Sequence, residues 1–375
     1  MKKVIMMVGT SLFVNYLEHE CDNTFKNHFE ALKNRDSKYY ENELRKVKYI
    51  KQKVCHWLRS LGLANINSAS AEIKSLLKLE EQIRDDDFEV HLLSSDTILG
   101  KLAGEILETE LVKLKGFEIK MHVISDLQVK DSKRFIKGMR NLIDEIFEIA
   151  DEYWGNVIMN ITGGYKASIP YLTILAQLNG CPIYYIFEDQ DAFIKVPNLP
   201  FSTEVIDWKD LYRNSEIIDQ LQKGICDKED HDKLVYSEFY KKYGVLVWEE
   251  PPMAELNPLG KIIWETYKSK FFEFHINSQS KQKYSNSQRL KDVISKKFWK
   301  EEIREGKTEY KNGHRVYDDG DNPIRIFYLI EDNTIKIYNI FDNHEEYERY
   351  LNNNPYREED VESQKYELEI IKKEV

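Results

Sequence analysis

Two short turns of small and polar residues have the composition of an anion-binding site. The first is Gly9-Thr10-Ser11, after an apolar run at 4–8, and the second is Thr162-Gly163-Gly164, followed closely by Lys166. Glycine lets the backbone approach a ligand, and a helix that starts after the turn offers unpaired N–H groups to a negative charge. Lys166 adds a mobile cation. We expect an anion here, most simply a phosphate; the alternative is an ordinary strand-to-helix turn with a solvated lysine.

Both turns belong to a repeated alternation of strand and helix. Apolar runs predict strands at 4–8, 88–93, 117–124, 157–161 and 181–187, and helical spacing predicts helices within 17–85 and at 98–113, 131–153 and 166–178. This alternation predicts an α/β, Rossmann-like parallel sheet covered by helices on both faces. Ligands of such sheets bind beyond the carboxyl ends of the strands. Both turns should therefore lie in one crevice.

A third group of hydroxyls follows the strand at 88–93. Ser95 and Thr97 stand immediately before the helix at 98–113. Side chains of this kind cap helices by accepting hydrogen bonds from the first N–H groups. We expect capping to be their main role, with ligand contact as the weaker alternative.

Length, composition and charge limit the classes of protein that this sequence suits. The chain has 375 residues, 42% hydrophobic and 32% charged, enough for two or three folded domains. The net charge of −11 argues against general adhesion to nucleic acid but allows a basic subdomain. Four scattered cysteines predict no metal site. We expect a cytoplasmic protein, since no signal-peptide cleavage site or membrane-length apolar run is evident.

The carboxyl half does not continue the regular alternation of predicted strands and helices. Residues 201–255 predict a mostly helical connector, which Pro251-Pro252 closes as a boundary. From 256 onward the pattern predicts two helices, with Asn286 or Ser287 capping the second, then strands and a final helix. This is a small α+β domain at 256–355 with an antiparallel sheet. The charged segment 356–375 predicts a solvated helical tail.

The first 200 residues resemble the CARF domain, the sensor of CRISPR-linked cyclic oligoadenylates. The resemblance rests on the strand with GTSLF and the later strand, NITGGYK and helix, which occur in the expected order. It implies a homodimer that holds one ring of adenylates across its two-fold axis, most simply cyclic tetraadenylate. The resemblance implies these ligand-facing residues: Gly9, Thr10, Ser11, Thr162, Gly163, Gly164 and Lys166, with Ser95 and Thr97 as weaker candidates.

Residues 256–355 are similar to RelE-family toxins, the ribosome-dependent mRNA endonucleases. The likeness is carried by IRIFYLI, a tight turn and KIYNIFDNHEEYERY. In that family a basic residue opens the central strand, and a His or Arg with a nearby Tyr follows the last strand. The matching positions are Arg325, His344, and Tyr347 or Tyr350. Many members have two lysines on the preceding strand, where this sequence has His314, Arg315 and Tyr317, so the identity of the general base stays open.

Cleavage of RNA without a metal ion requires a base for the 2′-OH, charge stabilisation at phosphorus and a proton for the leaving oxygen. Arg325 suits the phosphate because its fork matches phosphate geometry. His344 exchanges protons near neutral pH, and Tyr347 or Tyr350 would do so beside cations or would stack on a base. A basic stretch surrounds these positions: Lys261, Lys268, Lys270, Lys281, Lys283, Arg289, Lys291, Lys296, Lys297, Lys300, Arg304, Lys307 and Lys311. Such a stretch has the charge of an RNA-binding surface.

The expected function is therefore that of a cyclic oligoadenylate-activated ribonuclease of type III CRISPR antiviral defence, which cleaves mRNA on the ribosome. HEPN-type ribonucleases are disfavoured because the carboxyl half lacks an Arg followed four to six residues later by His. A metal-dependent restriction-like nuclease remains an alternative through Glu309-Tyr310-Lys311 and Asp292. The second alternative is a non-enzymatic, ligand-gated regulator in which residues 205–255 form a winged-helix-like or dimerisation element.

Overall fold

The computed structural model describes residues 1–83, 87–115, 117–187, 192–197 and 206–374. The chain forms two compact units, which consist of Met1–Val205 with Ser215–Thr266, and of Ile206–Asn214 with Tyr267–Val375. Residues 215–255, which the sequence suggested as part of a connector, lie within the first unit. The predicted start of that connector, at 201–205, falls outside the described residues.

The first unit is built on a six-stranded sheet. Its strands are β1 (Lys2–Val8), β2 (Phe88–Ser95), β3 (Glu118–Ile124), β4 (Val157–Asn160), β5 (Ile183–Phe187) and β6 (Ala192–Val196). They lie in the order β3-β2-β1-β4-β5-β6. The first five are parallel, and β6 runs antiparallel to β5. The predicted parallel sheet is confirmed.

Helices cover both faces of this sheet. Before residue 188 they are α1 (Ser11–Glu20), α2 (Asn23–Leu32), α3 (Leu44–Asn65), α4 (Ala71–Gln82), α5 (Ile98–Lys115), α6 (Ser132–Ala150) and α7 (Ile169–Asn179). Alternate residues of β1 enter different cores, because side chains alternate across a strand. Val4 and Met6 pack into one hydrophobic cluster, and Ile5 and Met7 pack into the other.

The strand order reverses at β1. The chain places β2 and β3 on one side of β1, and β4 and β5 on the other. In open α/β sheets, the carboxyl ends of the two strands that flank such a reversal border a crevice that binds ligands. The turns after β1 and β4 are the two that the sequence singled out.

The middle of the chain contains five helices and a hairpin. These elements are α8 (Trp208–Arg213), α9 (Ser215–Lys223), α10 (Lys228–Val235), α11 (Glu238–Tyr243), β7 (Val247–Glu250), β8 (Met253–Leu256) and α12 (Pro258–Lys270). The mostly helical character of this region is confirmed. Pro251-Pro252, predicted as a boundary, instead forms the turn between the antiparallel strands β7 and β8. The prolines interrupt strand pairing locally without ending the unit.

The second unit contains a separate six-stranded sheet. Its strands are β9 (Phe271–Asn277), β10 (Thr308–Lys311), β11 (His314–Tyr317), β12 (Arg325–Glu331), β13 (Thr334–Phe341) and β14 (Tyr366–Lys372), and its further helices are α13 (Ser278–Asn286), α14 (Gln288–Val293), α15 (Glu301–Gly306), α16 (His344–Asn353) and α17 (Glu358–Glu362). The strand order is β10-β11-β12-β13-β9-β14. All pairs are antiparallel except β13 with β9. The predicted antiparallel-rich sheet is confirmed, and Ser287 caps α14 through Leu290 N–H.

Two segments of this unit differ from the sequence prediction. The amphipathic helix predicted at 260–275 ends at residue 270, and Phe271–Asn277 is a strand because Phe274 and Ile276 enter the core with the two-residue period of a strand. Tyr366–Lys372, predicted within a solvated helical tail, is a strand paired with β9. Its charges are matched within the fold: Glu369 pairs with Lys209 and Lys281.

The second unit is discontinuous in sequence. Trp208, in the short segment 206–214, is buried, and its ring lies 4.9 Å from that of Phe271 and 6.0 Å from that of Tyr267. This aromatic cluster explains why the segment belongs with residues 267–375. Across the described ranges, none of the helices is long and apolar enough to span a bilayer.

Candidate functional site

The two turns of the predicted crevice meet in the first unit. A Cβ added to Gly9 would lie 3.1 Å from the backbone nitrogen of Gly164, so the two backbones are nearly in contact. Gly164 has a φ of +83°, and a side chain there would overlap Met7. Only glycine fits that combination of left-handed backbone and close approach. The predicted convergence of the turns is thus present in the fold.

The remaining residues of the second turn have different surroundings. Thr162 Oγ1 accepts a hydrogen bond from Ile186 N–H at 3.0 Å and so fastens the end of β4 to β5. Lys166 is exposed, and we find no ion pair or hydrogen bond for its ammonium within the described ranges. The α-helix begins at Ile169, after one 3₁₀ turn, rather than at Lys166. Pro170 favours this later start because proline suits the first turn of a helix.

Ser95 and Thr97 are buried at the start of α5. Their hydroxyls lie 2.9 Å apart, and Thr97 Oγ1 accepts from Gly100 N–H at 3.1 Å. The predicted capping of α5 by Thr97 is therefore present. Burial raises the pKa of Tyr165, while hydrogen bonds with Ser95 and Thr97 lower it. Tyr165, in the second turn, thus links that turn to the one after β2.

Glu72, a carboxylate between the two turns, was not predicted from the sequence. Glu72 is 1% exposed and lies in the first turn of α4. Its Oε1 accepts from Gly9 N–H at 2.8 Å, and its Oε2 accepts from the Ser11 hydroxyl at 2.9 Å. A Cβ on Gly163 would overlap this carboxylate. In the sequence, Glu72 follows the helix cap Ser70 and resembles an ordinary acidic residue of a first turn, which gives no signal of its reach.

Thr10 completes the first turn. It precedes α1, where its carbonyl accepts hydrogen bonds from the N–H groups of Phe13 and Val14, and its side chain makes no capping hydrogen bond. Thr10 lies between Gly9 and Ser11, the two residues that donate hydrogen bonds to Glu72.

In the second unit, three of the predicted residues meet: Arg325 and His344 lie beside the ring of Tyr347. Tyr347 is 1% exposed, and its hydroxyl is buried. The Arg325 guanidinium carbon lies 5.8 Å from the centre of its ring, and the His344 ring lies at the same centroid distance. Strand β12 supplies Arg325, while α16 supplies both His344 and Tyr347. His344 is 71% exposed and therefore accessible to a substrate.

Tyr350 lies one helical turn from Tyr347. Its ring is 5.1 Å from that of Phe341, 5.5 Å from that of Phe327 and 5.8 Å from that of His314. Residues three apart on a helix share a face, so α16 places both tyrosines over the same side of the sheet.

The two candidates on β11 have separate environments. Buried His314 contacts the Tyr338 hydroxyl at 2.9 Å and the Asn354 carbonyl at 2.7 Å, so both ring nitrogens are engaged. Arg315 lies on the opposite face, where it stacks over Tyr328 and pairs with Glu305 at 2.6 Å. Neighbouring strand residues point to opposite faces, so β11 does not bring Arg315 to the Tyr347 cluster.

Lys311 joins the Tyr347 cluster, although the sequence analysis placed it only in the basic stretch. Its Nζ lies 5.7 Å from the Tyr347 ring centre, and it pairs with Glu309 at 2.7 Å. The hydrogen bond with Glu309 raises the pKa of Lys311 despite partial burial. The sequence Glu309-Tyr310-Lys311 suggested a metal-nuclease motif. In the structure, Glu309 and Lys311 lie on β10 and form an ion pair with each other. Asp292, the other acid of that motif, accepts from Gln288 and faces Lys296.

Five lysines of the basic stretch are paired with carboxylates. Those pairs are Lys261 with Asp144 and Glu265, Lys281 with Glu367 and Glu369, Lys296 with Asp292 and Glu374, Lys297 with Asp319 and Asp321, and Lys311 with Glu309. Pairing reduces the positive potential that these residues present to a polyanion. The stretch is therefore less cationic than its sequence suggests.

Comparison with known families adds one finding. Residues 67–199 match the model of a family described as CRISPR-associated protein (Cas_APE2256). The matched segment contains Glu72 and the turn from Thr162 to Lys166, and it ends before the second unit. A search of curated proteins finds no match. This similarity supports an association with CRISPR systems.

Proposed function

We propose that the chain is a cyclic oligoadenylate-activated ribonuclease of CRISPR defence. The observation that carries the proposal is the meeting of two glycine turns at the strand-order reversal, beside a segment similar to a CRISPR-associated family. A phosphate-rich ligand suits this crevice because the glycine backbones of both turns meet beside the start of α1, and Lys166 follows the second turn in sequence.

A ring ligand fits a dimer of this chain. A cyclic tetraadenylate has two-fold symmetry, and an isologous dimer offers the same half-site from each protomer. One crevice would hold half of the ring. We therefore propose a homodimer that binds one ring per two chains.

The second unit supplies the proposed cleavage of mRNA. Arg325 would bind the scissile phosphate through its planar fork. The exposed imidazole of His344 would transfer a proton, and Lys311 would add positive charge near Tyr347. Tyr350 offers an aromatic face for a base. So small a set of groups requires a substrate held in place, which the ribosome would provide.

Translation in a cell-free extract tests both parts of the proposal. Purified protein is added with and without cyclic tetraadenylate, and mRNA ends are mapped by primer extension. We expect new 5′ ends within translated codons only when the ring is present, and none on the same mRNA without ribosomes. Cleavage that is independent of the ring, or its absence with every ring size, would contradict the proposal. Loss of cleavage in Glu309→Gln but not in Arg325→Ala would favour the restriction-like alternative.

A further inference from the structure

The crevice already contains a negative charge. The buried carboxylate of Glu72 accepts hydrogen bonds from Gly9 N–H and from the Ser11 hydroxyl, 2.8 and 2.9 Å away. These donors belong to the turn after β1, where a ligand phosphate would bind. We propose that Glu72 is an internal occupant of the anion position, which an anionic ligand must displace. This inference rests on the proposed function of the crevice and adds a mode of regulation to it.

The starts of two helices, α1 and α4, lie beside the Glu72 carboxylate and stabilise its negative charge. Glu72 lies in the first turn of α4, and its oxygens face Gly9 and Ser11 at the start of α1. The positive ends of both helix dipoles therefore act on one carboxylate. Ala71 N–H also donates to Ser11 Oγ at 3.3 Å, which orients the hydroxyl towards Glu72. In this state the donors are satisfied without any ligand.

A phosphate and the Glu72 carboxylate cannot share this position. A side chain on Gly163 would already overlap Glu72 Oε1, and a Cβ on Gly9 would lie 3.1 Å from it, so the carboxylate fills the space between the turns. A second negative charge beside a carboxylate that is 1% exposed is repelled strongly, because burial lowers the local dielectric. Ligand binding therefore requires the Glu72 side chain to leave the Gly9 and Ser11 donors.

Because a ligand must displace Glu72, the crevice binds small anions weakly. The carboxylate is tethered to the same fold, so its effective concentration at the donors exceeds that of a free metabolite. A single phosphate only exchanges one anion for another at these donors, so its binding free energy is small. A ring with several phosphates and bases gains additional contacts elsewhere, which offset the loss of the Glu72 hydrogen bonds.

The test compares Glu72→Gln with Glu81→Gln. Both substitutions remove one charge from α4, but Glu81 is exposed and pairs with Lys78. Calorimetric titration with cyclic tetraadenylate and thermal melting in pyrophosphate are the two measurements. We expect Glu72→Gln to bind the ring about tenfold more tightly than the unmodified protein, because one like charge is gone. We also expect pyrophosphate to raise the melting temperature of Glu72→Gln alone.

The outcomes separate this inference from the proposed function. If no protein binds any ring but pyrophosphate stabilises Glu72→Gln selectively, the displacement model stands and the proposed ligand is wrong. If Glu72→Gln binds the ring equally or more weakly, Glu72 is not an occupant that must leave, and the inference fails. Glu72→Asp serves if Glu72→Gln does not fold. Its shorter side chain withdraws the carboxylate from Gly9, so tighter ring binding is again expected, and unchanged or weaker binding overturns the inference.

Discussion

Arg325 is held between Tyr347 and Asp318: its guanidinium carbon lies 5.8 Å from the tyrosine ring centre, and its Nη2 lies 2.8 Å from Asp318 Oδ2. Its Nη1 donates to the carbonyls of Asn322 and Ile324. The side chain is only 15% exposed, so its orientation is fixed before any substrate arrives. A phosphate that approaches the fork would compete with Asp318 for the same guanidinium.

The first prediction concerns this fork. Arg325→Lys keeps the charge but lacks the planar pair of donors, and Arg325→Ala lacks both. We expect both variants to lose about 100-fold or more in cleavage rate, the effect of removing one preorganised charge-stabilising donor. The measurement is single-turnover cleavage of mRNA on stalled ribosomes with cyclic tetraadenylate present.

Arg349→Ala is the control, since Arg349 is exposed on α16 and its loss removes the same charge. Ring binding should be equal in all these proteins. Cleavage by Arg325→Lys at the unmodified rate would show that the fork does not contact the phosphate.

The second prediction concerns the exposed lysine of the crevice. Lys166→Ala should weaken binding of cyclic tetraadenylate about tenfold, because a charge-assisted contact to phosphate is lost. Lys130→Ala, another exposed lysine, should leave affinity unchanged. Calorimetry at low and high salt gives the measurement, and the unmodified protein should show the steeper salt dependence. Equal affinity of Lys166→Ala and the unmodified protein at low salt would refute a direct contact.

The third prediction separates backbone strain from crowding at the second turn. Gly164 and Gly180 both have positive φ, +83° and +71°, but only an alanine at Gly164 would overlap Met7. Gly180→Ala should therefore cost about 1 kcal/mol in the free energy of unfolding. Gly164→Ala should cost about 1–3 kcal/mol more, the usual effect of overpacking. Denaturant unfolding measures both, and equal losses would indicate that the turn relaxes away from Met7.

The fourth prediction follows from two neighbouring imidazoles in the sheet, of which His91 is buried. His91 is 5% exposed, and its Nδ1 lies 3.0 Å from His122 Nε2. His122 is oriented by Glu145, 2.6 Å from its Nδ1, and Glu89 and Lys120 also lie beside the pair. Burial lowers the pKa of His91 from 6.5 to about 4, although Glu89 partly opposes this. The folded protein therefore keeps His91 neutral where the unfolded chain would protonate it.

Because the unfolded chain binds the extra proton, stability falls as pH drops below 6.5 towards 4. Between pH 7 and pH 5 the His91 contribution should be a loss of about 2 kcal/mol in the free energy of unfolding. His91→Asn removes this titration, so its stability should change less over the same interval. Urea unfolding at both pH values measures the difference. Identical pH dependence in the two proteins would mean that His91 is not held neutral.

The local sequence pattern was enough to predict most of the strands and helices of the two sheets. The run at 157–161 and the turn at Thr162 predicted β4 and the crevice, because apolar continuity and glycine act over a few residues. Glu72 was not predictable, since its role depends on Gly9, which is 63 residues away. Residues 271–275 were misassigned to a helix because helix α12 runs into them and strand pairing with β13 and β14 overrides the local spacing. In the second unit, the sequence singled out Arg325, His344 and Tyr347, whose side chains lie near one another, but not Lys311, which strand pairing brings to them.

The position of Trp208 has a consequence for dissecting the gene. A fragment that begins at residue 256, the boundary suggested by sequence, would be translated without residues 206–214 and would leave Phe271 and Tyr267 without their covering ring. Exposed aromatic surface favours aggregation, so an inert or insoluble fragment would give no information about the activity of the second unit. Each unit is made of two separate segments of the chain. A fragment that represents the second unit must therefore contain residues 206–214 as well as residues 267–375.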